Sequence, residues 1–229
     1  MTNVHEELAH CDVCSMRSRC LLSKVSSEVK ALMLPHVVER SVQIGEDIEA
    51  QGEHSAHLGV VKLGLFKSER TASPGNRAAV CVVGRGRLIG YANLFKQASA
   101  MTQTAMTPAR VCLIPIHVVY DHAFRERQFR QSLYQAVGSH IENVADWAAL
   151  IRESNISKRL MAAFDLMARE EGSRSLRIPS HVELGELVMA RRESVARHIT
   201  LLQREGQLVK LDRWRAILRP TPEELGMCR

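Results

Sequence analysis

Aromatic residues are scarce: two Trp, three Tyr and five Phe among 229 residues. Any packed core must therefore be built mainly from Leu, Val, Ile, Ala and Met. Long apolar runs are missing too. No stretch reaches the roughly 18 consecutive apolar residues that span a bilayer, and the opening MTNVHEELAHCDVC has no apolar segment before its first cysteine. This predicts a cytoplasmic protein with no membrane partner. Nor is there much charge of one sign. With 31 Lys and Arg against 25 Asp and Glu the net is +6, too small to name a partner. Against these absences, the 45% hydrophobic content is ample for packed cores and excludes disorder as the main state. At roughly 100 to 200 residues per domain, the length allows one large domain or two small ones. Six cysteines then stand out, because cytoplasmic thiols stay reduced and tend to hold metal or do redox work.

Residues 1–24 read as a polar, cysteine-rich leader with no clear strand or helix period. Over 25–120 the sequence shows short apolar runs between glycine-containing turns: VVERSVQI, HLGVVKLGLFKSE, RAAVCVVG, RLIGYANLF and ARVCLIPI. Short strands at this spacing predict an antiparallel barrel or sandwich. Within 121–154, from Phe124 to Glu153, apolar residues recur at Leu133, Val137, Ile141, Val144, Ala148 and Ile151. These steps of three and four predict a long helix with one narrow apolar seam, packed on the chain's own sheet or, as a homodimer seam, on a second copy. Residues 155–229 open with a second helix, ISKRLMAAFDLMAREE, stopped by Gly172. Ser180 and Glu183 then fit a capping box for a helix from His181 to about Val188. Met189–Arg191 form a short connection to a helix from Arg192 to Arg204, with Val195, Ile199 and Leu202 on its inner face. Two short strands around Asp212–Arg213 complete a winged helix-turn-helix. The fold class is therefore α+β.

Residues at the start of the second helix, and one turn on, face base edges in a helix-turn-helix. Here they are Arg192, Glu193, Ala196 and Arg197. Arg pairs with guanine, Glu accepts from cytosine, and a small apolar side chain meets the thymine methyl; an exposed Glu193/Arg197 pair is the plainer alternative. The partner is double-stranded DNA, with Lys210, Arg213, Arg215 and Arg219 as candidate phosphate contacts. From Ile156 to Arg229, 14 Lys or Arg face 10 Asp or Glu. That segment carries +4 of the net +6. In the leader, Cys11, Cys14 and Cys20 form a C-x2-C-x5-C pattern suited to a zinc site or an iron–sulfur cluster, either of which needs a fourth ligand. Cys81, Cys112, Cys228 and His10 are candidates. Cys81 and Cys112 both lie in apolar runs, and periodicity does not separate them.

The order of elements and these residues together resemble the cyclic-AMP receptor and fumarate-nitrate reduction (Crp/Fnr) superfamily of bacterial transcription regulators, over almost the whole chain. HCDVCSMRSRC, ARVCLIP and RESVAR are most similar to its oxygen-sensing fumarate-nitrate reduction branch. The resemblance implies a cyclic-nucleotide-binding-like jelly roll, a dimerisation helix and a winged helix-turn-helix. It also implies a four-iron four-sulfur cluster on Cys11, Cys14, Cys20 and Cys112, an oxygen-labile switch of dimerisation, and RNA polymerase as a partner. Cys81 and Cys228 are left without a role.

The sequence also departs from the family. Cyclic-nucleotide-binding members carry Gly-Glu and Arg-Ser pairs for ribose and phosphate, whereas the corresponding stretches here read Gly90-Tyr91-Ala92 and Met101-Thr102. An anionic cyclic phosphate then lacks a counter-charge, and cyclic AMP is not expected as effector. Met16, Arg17 and Arg19 stand where an apolar cover over a cluster is expected. In the recognition helix Ala196 replaces the branch's usual Ser, and Arg192 precedes Glu193 as in the cyclic-AMP receptor type. The resemblance and the base-edge code together suggest a half-site closer to TGTGA than to TTGAT, with both left open. A zinc site or thiol redox switch on the same cysteines is the alternative among binding proteins. A cupin-like metalloenzyme is the alternative among enzymes, but His36, His54, His57 and His117 fall in no ligand-like pattern with carboxylates.

Overall fold

The computed structural model describes residues 6–219 apart from Asp12, Pro74 and Arg213. Within the leader, which shows no period in sequence, lies a three-residue strand, β1 (Glu6–Leu8). A helix, α1 (Ser27–Met33), follows, capped by the Ser26 hydroxyl accepting Val29 N–H. Eight strands come next: β2 (Val38–Val42), β3 (Asp47–Glu49), β4 (His57–Leu63), β5 (Phe66–Ser73), β6 (Asn76–Val83), β7 (Leu88–Ile89), β8 (Thr102–Ala105) and β9 (Ala109–Pro115). They form two antiparallel sheets, β1-β2-β9-β4-β7 and β3-β8-β5-β6. The barrel is thus a two-sheet jelly roll rather than a closed cylinder. β3 and β8 are strands the apolar runs do not signal, because both are short and mostly polar. RLIGYANLF contributes only the two residues of β7, since Gly90 turns left-handed (φ 72) and Tyr91–Phe95 continue as a 3-10 turn.

Alternation along β9 divides the interior. Val111 and Leu113 join Val61, Phe66, Cys81 and Ala105 in one cluster between the sheets. Cys112 and Ile114 point the other way, into a second cluster with Leu21, Leu22, Met33, Leu58 and Val60. That is the period of two expected of a strand with both faces covered.

A short turn, α2 (Ile116–Val118), leads through a π-helical stretch, Val119–Ala123, to the long helix α3 (Arg127–Leu150). The helix starts three residues after Phe124. Glu126 is extended (φ −79, ψ 129), and Arg130 donates through Nη1 to the carbonyls of Phe124 and Arg125, both at 2.8 Å. The apolar seam divides between an inward and an outward face. Helix α3 buries Phe129, Leu133, His140, Asn143, Trp147 and Leu150 against its own chain. Of the six expected seam residues only Leu133 is fully buried there. Val137 and Val144 are half-buried, while Ile141, Ala148 and Ile151 face outward.

The remaining elements match the expected winged helix-turn-helix, with one strand added. Helix α4 (Ile156–Glu171) is capped by Asn155 and stops at left-handed Gly172 (φ 68). β10 (Ser175–Arg177) follows, then α5 (His181–Val188) with its Ser180–Glu183 capping box, α6 (Arg192–Arg204), β11 (Leu208–Lys210) and β12 (Arg215–Leu218). The wing is a three-stranded sheet, β10-β12-β11, because Ser175–Arg177 pairs with Arg215–Ile217 across the helix pair. Among the described residues no helix is long and apolar enough to cross a membrane.

Glu170, 5% exposed, locks the two halves together. Its carboxylate accepts from Arg87 Nε (3.0 and 2.9 Å) and Nη2 (2.5 Å) and from Gly84 N–H (2.8 Å). A Cβ on Gly84 would lie 2.8 Å from the Glu170 carbonyl oxygen, so no side chain fits there. Removing one partner of a buried, hydrogen-bonded ion pair costs about 3–5 kcal/mol. We expect a loss of that order in urea unfolding of Glu170→Ala. Within the helix-turn-helix, Gly185 packs against the turn, and a Cβ there would meet the Ala190 carbonyl oxygen at 2.6 Å. Gly185→Ala should therefore lower the urea midpoint, by about 1–3 kcal/mol of overpacking, despite the better helix propensity of Ala.

Candidate nucleic-acid interface and cysteine site

The reading helix α6 sits on a constrained turn. Met189 closes α5 in the left-handed region (φ 50), and Ala190 N–H donates back to Gly185 O at 2.9 Å. Arg159 of α4 donates through Nη1 to Val188 O at 2.7 Å, covering a carbonyl that the helix end would leave open. Val195, Ile199 and Leu202 hold α6 against the core. Its opposite side then presents Arg192, Glu193 and Arg197 to solvent, with Ala196 half-buried between them. The expected base-reading set thus shares one exposed face at the start of the helix. None of these charged side chains forms an ion pair shorter than 4 Å among the described residues. Lys210, Arg215 and Arg219 are exposed on the wing, and Arg213 lies outside the described residues. Asp212 fixes the wing turn by accepting from the N–H groups of Trp214 (2.6 Å) and Arg215 (2.8 Å). Those bonds hold its carboxyl below the usual range.

At the other end of the chain, Cys11, Cys14, Cys20 and Cys112 line one cavity. The leader wraps to bring its three cysteines there: Arg17 N–H donates to Cys14 O (3.2 Å), Cys20 N–H to Met16 O (2.9 Å) and Met16 N–H to Cys14 Sγ (3.4 Å). Cys112 arrives from β9, where it stands in register with Val60 of β4 and Glu39 of β2. Cys81, in contrast, is fully buried between the sheets, where burial pushes its thiol up to about 11. The two cysteines that periodicity left equivalent therefore lie in different apolar clusters, Cys81 between the sheets and Cys112 under the leader. His10 is exposed and Cys228 lies outside the described residues.

Met16, 3% exposed, lines the cavity together with Leu22 and Val60, so the leader supplies an apolar wall despite Arg17. Lys62 and Lys30 line it as well; neither is evident from sequence, because only strand register and packing bring them there. Burial opposes the charge on Lys62, but the Glu39 carboxylate bonded to its Nζ holds the ammonium above its usual range. Burial, reinforced by neighbouring Cys20 and Glu39, pushes the Cys112 thiol up to about 12, while Lys62 pulls it down. Cys20 is raised by burial and by Cys11 and Cys14. Four thiols around an apolar-walled cavity are a donor set for a thiophilic metal group. Among the described residues, however, no three His, Cys, Asp or Glu side chains converge on a single-ion site.

Two further surfaces complete the picture. On the outward side of α3, Tyr134 (58% exposed) and Ile141 (65%) continue through Ala148 to Ile151 as an uncovered apolar stripe. Inside the jelly roll, the Glu49 carboxylate accepts from Gly90 N–H (3.1 Å) and from the Ser99 hydroxyl, and burial raises its pKa. Met101 and Thr102 bring no cation there, and the Thr102 hydroxyl accepts from Gln51 N–H (3.1 Å).

Residues 39–123 match the family described as the cyclic nucleotide-binding domain. Over 167 residues the chain is 22% identical to the Anaerobic regulatory protein of Haemophilus influenzae, covering 72% of this chain and 65% of that protein. Over 209 residues it is 20% identical to the Transcriptional activator protein FnrL of Cereibacter sphaeroides, covering 87% and 84%. Among solved structures, it is similar to a CRP-family transcriptional regulator of Thermus thermophilus, with 20% identity, a TM-score of 0.63, and coverage of 81% of this chain and 96% of that one. The curated relatives are regulators rather than enzymes. By sequence match the chain is similar to Crp/Fnr transcription regulators, and its fold is the one seen in regulators of that family.

Proposed function

We propose that the chain is a cytoplasmic, homodimeric regulator that reads a palindromic DNA site under control of an oxygen-labile four-iron four-sulfur cluster on Cys11, Cys14, Cys20 and Cys112, and so governs anaerobic or redox-responsive genes. The observation that carries the sensing half is the common cavity of those four cysteines, three from the leader and one from β9. Four thiols spread around a cavity suit the separate irons of a cluster better than one tetrahedral zinc, whose sulfurs all lie about 2.3 Å from one point. Lys62 places positive charge beside what is then an anionic group. A cluster bound there supplies a centre that oxygen degrades.

The chain's own packing provides the coupling. Cys11, Cys20 and Cys112 lie in the same cluster of side chains as Phe129 and Leu133 at the start of α3. Order in the leader therefore bears on the helix whose outer stripe, Tyr134 to Ile151, is the proposed dimer seam. A dimer sets two α6 helices at a fixed spacing, as two half-sites require. Arg192, Glu193, Ala196 and Arg197 then read bases, and Lys210 and Arg215 hold phosphates. RNA polymerase is the further partner. Cyclic AMP is not the effector on this reading, because Met101 and Thr102 offer its phosphate no counter-charge. Similarity to an anaerobic regulator supports the same assignment.

Anaerobic purification tests the sensing half. The wild-type chain should carry roughly four iron and four sulfide and sediment as a dimer. Cys112→Ser should lose the iron and the dimer, while Cys81→Ser keeps both. Colourless protein holding one zinc, or no metal, with DNA binding intact would establish the zinc or thiol alternative instead. For the reading half, Arg197→Ala should weaken binding to a selected half-site by about 1–3 kcal/mol and leave random duplex nearly unchanged. Equal losses on both would make Arg197 a phosphate contact. Sites selected from a random pool should carry TGTGA-like half-sites.

A further inference from the structure

A cleft of about 580 Å³ separates the jelly roll from the wing. Neither the cysteine cavity nor the exposed face of α6 opens into it, though Arg85 on its jelly-roll side donates through Nε to Sδ of Met16, which lines that cavity (3.1 Å), and through Nη1 to Glu171 O (3.5 Å). Its jelly-roll side is formed by the turns at Leu63–Gly64 and Thr107–Pro108 and by Arg85, and its wing side by Arg177, Trp214 and Arg215. The volume is that of a small-molecule site.

Its chemistry is cationic. Among the described residues none of the three guanidinium groups has a carboxylate within 4 Å. Two carboxylates also line the cleft, and of these Asp212 is an ionised counter-charge to Arg215 and Arg177. Asp212 is turned to the backbone N–H groups of Trp214 and Arg215. Glu171 is pushed up to about 7 by burial, against the pull of Arg215 and Arg85. Arg177 lies over the Trp214 ring at 5.5 Å, and the indole is 49% exposed. Planar guanidiniums match phosphate oxygens in bidentate geometry, and an accessible indole offers a stacking surface to a base.

We propose that this cleft binds a nucleoside triphosphate, its phosphates held by Arg85, Arg177 and Arg215 and its base laid against Trp214. A monophosphate would leave most of the three guanidiniums unmatched, which is why a triphosphate fits. Because the two walls belong to different halves of the chain, the ligand bridges them and favours one placement of the wing. Only this last consequence rests on the DNA-reading function; the binding itself does not.

The test uses the full chain without DNA or added metal, so failure of the regulatory reading leaves it unaffected. ATP and GTP are titrated by calorimetry and, with excitation of tryptophan, by fluorescence. Trp147 is 1% exposed, so quenching reports Trp214. Saturable binding of either nucleotide is expected, with inorganic triphosphate weaker and adenosine or guanosine not binding. Arg85→Gln and Arg177→Gln, on opposite walls, should each weaken binding about tenfold or more while circular dichroism shows an unchanged fold. Trp214→Phe should abolish the quenching but not the heat. The proposal is overturned if neither nucleotide binds by about 5 mM, well above the affinities of specific sites. It is also overturned if both Arg variants bind like wild type, or if inorganic triphosphate binds as tightly as ATP and GTP.

Discussion

The join between the jelly roll and the C-terminal helices depends on the buried carboxylate of Glu170. It lies near the end of α4, the first helix of the winged helix-turn-helix half, and bonds to Arg87 and to the Gly84 backbone of the jelly roll. Arg87 also donates through Nη1 to the Ser139 hydroxyl of α3 at 2.5 Å. One charge thus joins the jelly-roll sheets, the long helix and the winged helix-turn-helix. A buried ion pair contributes little net stability relative to an apolar substitute, but it is intolerant of other geometries. Its role here is orientation. The apolar core agrees with that, running without a break from Val42 between the sheets to Leu218 in the wing.

Local chemistry made most of the fold legible in the sequence. The Ser180–Glu183 box, the stop at Gly172 and the inner face of α6 depend on neighbours within a turn, so spacing alone predicts them. What spacing missed is non-local. β3, β8 and β10 are three or four residues long and exist because distant partners supply their hydrogen bonds; nothing in their own composition marks them. Helix α3 misled for a related reason. Its polar His140 and Asn143 are buried, the latter donating through Nδ2 to Val82 O at 2.9 Å. An apolar pattern therefore picked out a stripe straddling the inner and outer faces of the helix.

The sites were legible to different degrees. The candidate base-reading residues could be placed because a helix-turn-helix has one exposed face once its core positions are known. Cys112 was separated from Cys81 only by family likeness, since both lie in strands apolar on each side and the distinguishing fact is the register with Glu39 and Val60. Lys62 and Met16 carry no signal at all until the leader folds over β4. The cleft between jelly roll and wing was invisible in the same way. Arg85, Arg177 and Trp214 come from three separate stretches, and no motif connects them.

The placement of the cysteines has a topological consequence. Cys20 and Cys112 lie 92 positions apart, with strands β2 to β8 between them. Any group bonded to both ties off that loop as a covalent crosslink. In the chain-entropy treatment, closing a loop of that length removes roughly 4–5 kcal/mol of freedom from the unfolded chain. A bound metal group at this position would then be a staple of the jelly roll itself, raising the melting temperature of the sensor half independently of self-association. Its loss would loosen the strands that frame the leader as well as releasing the leader.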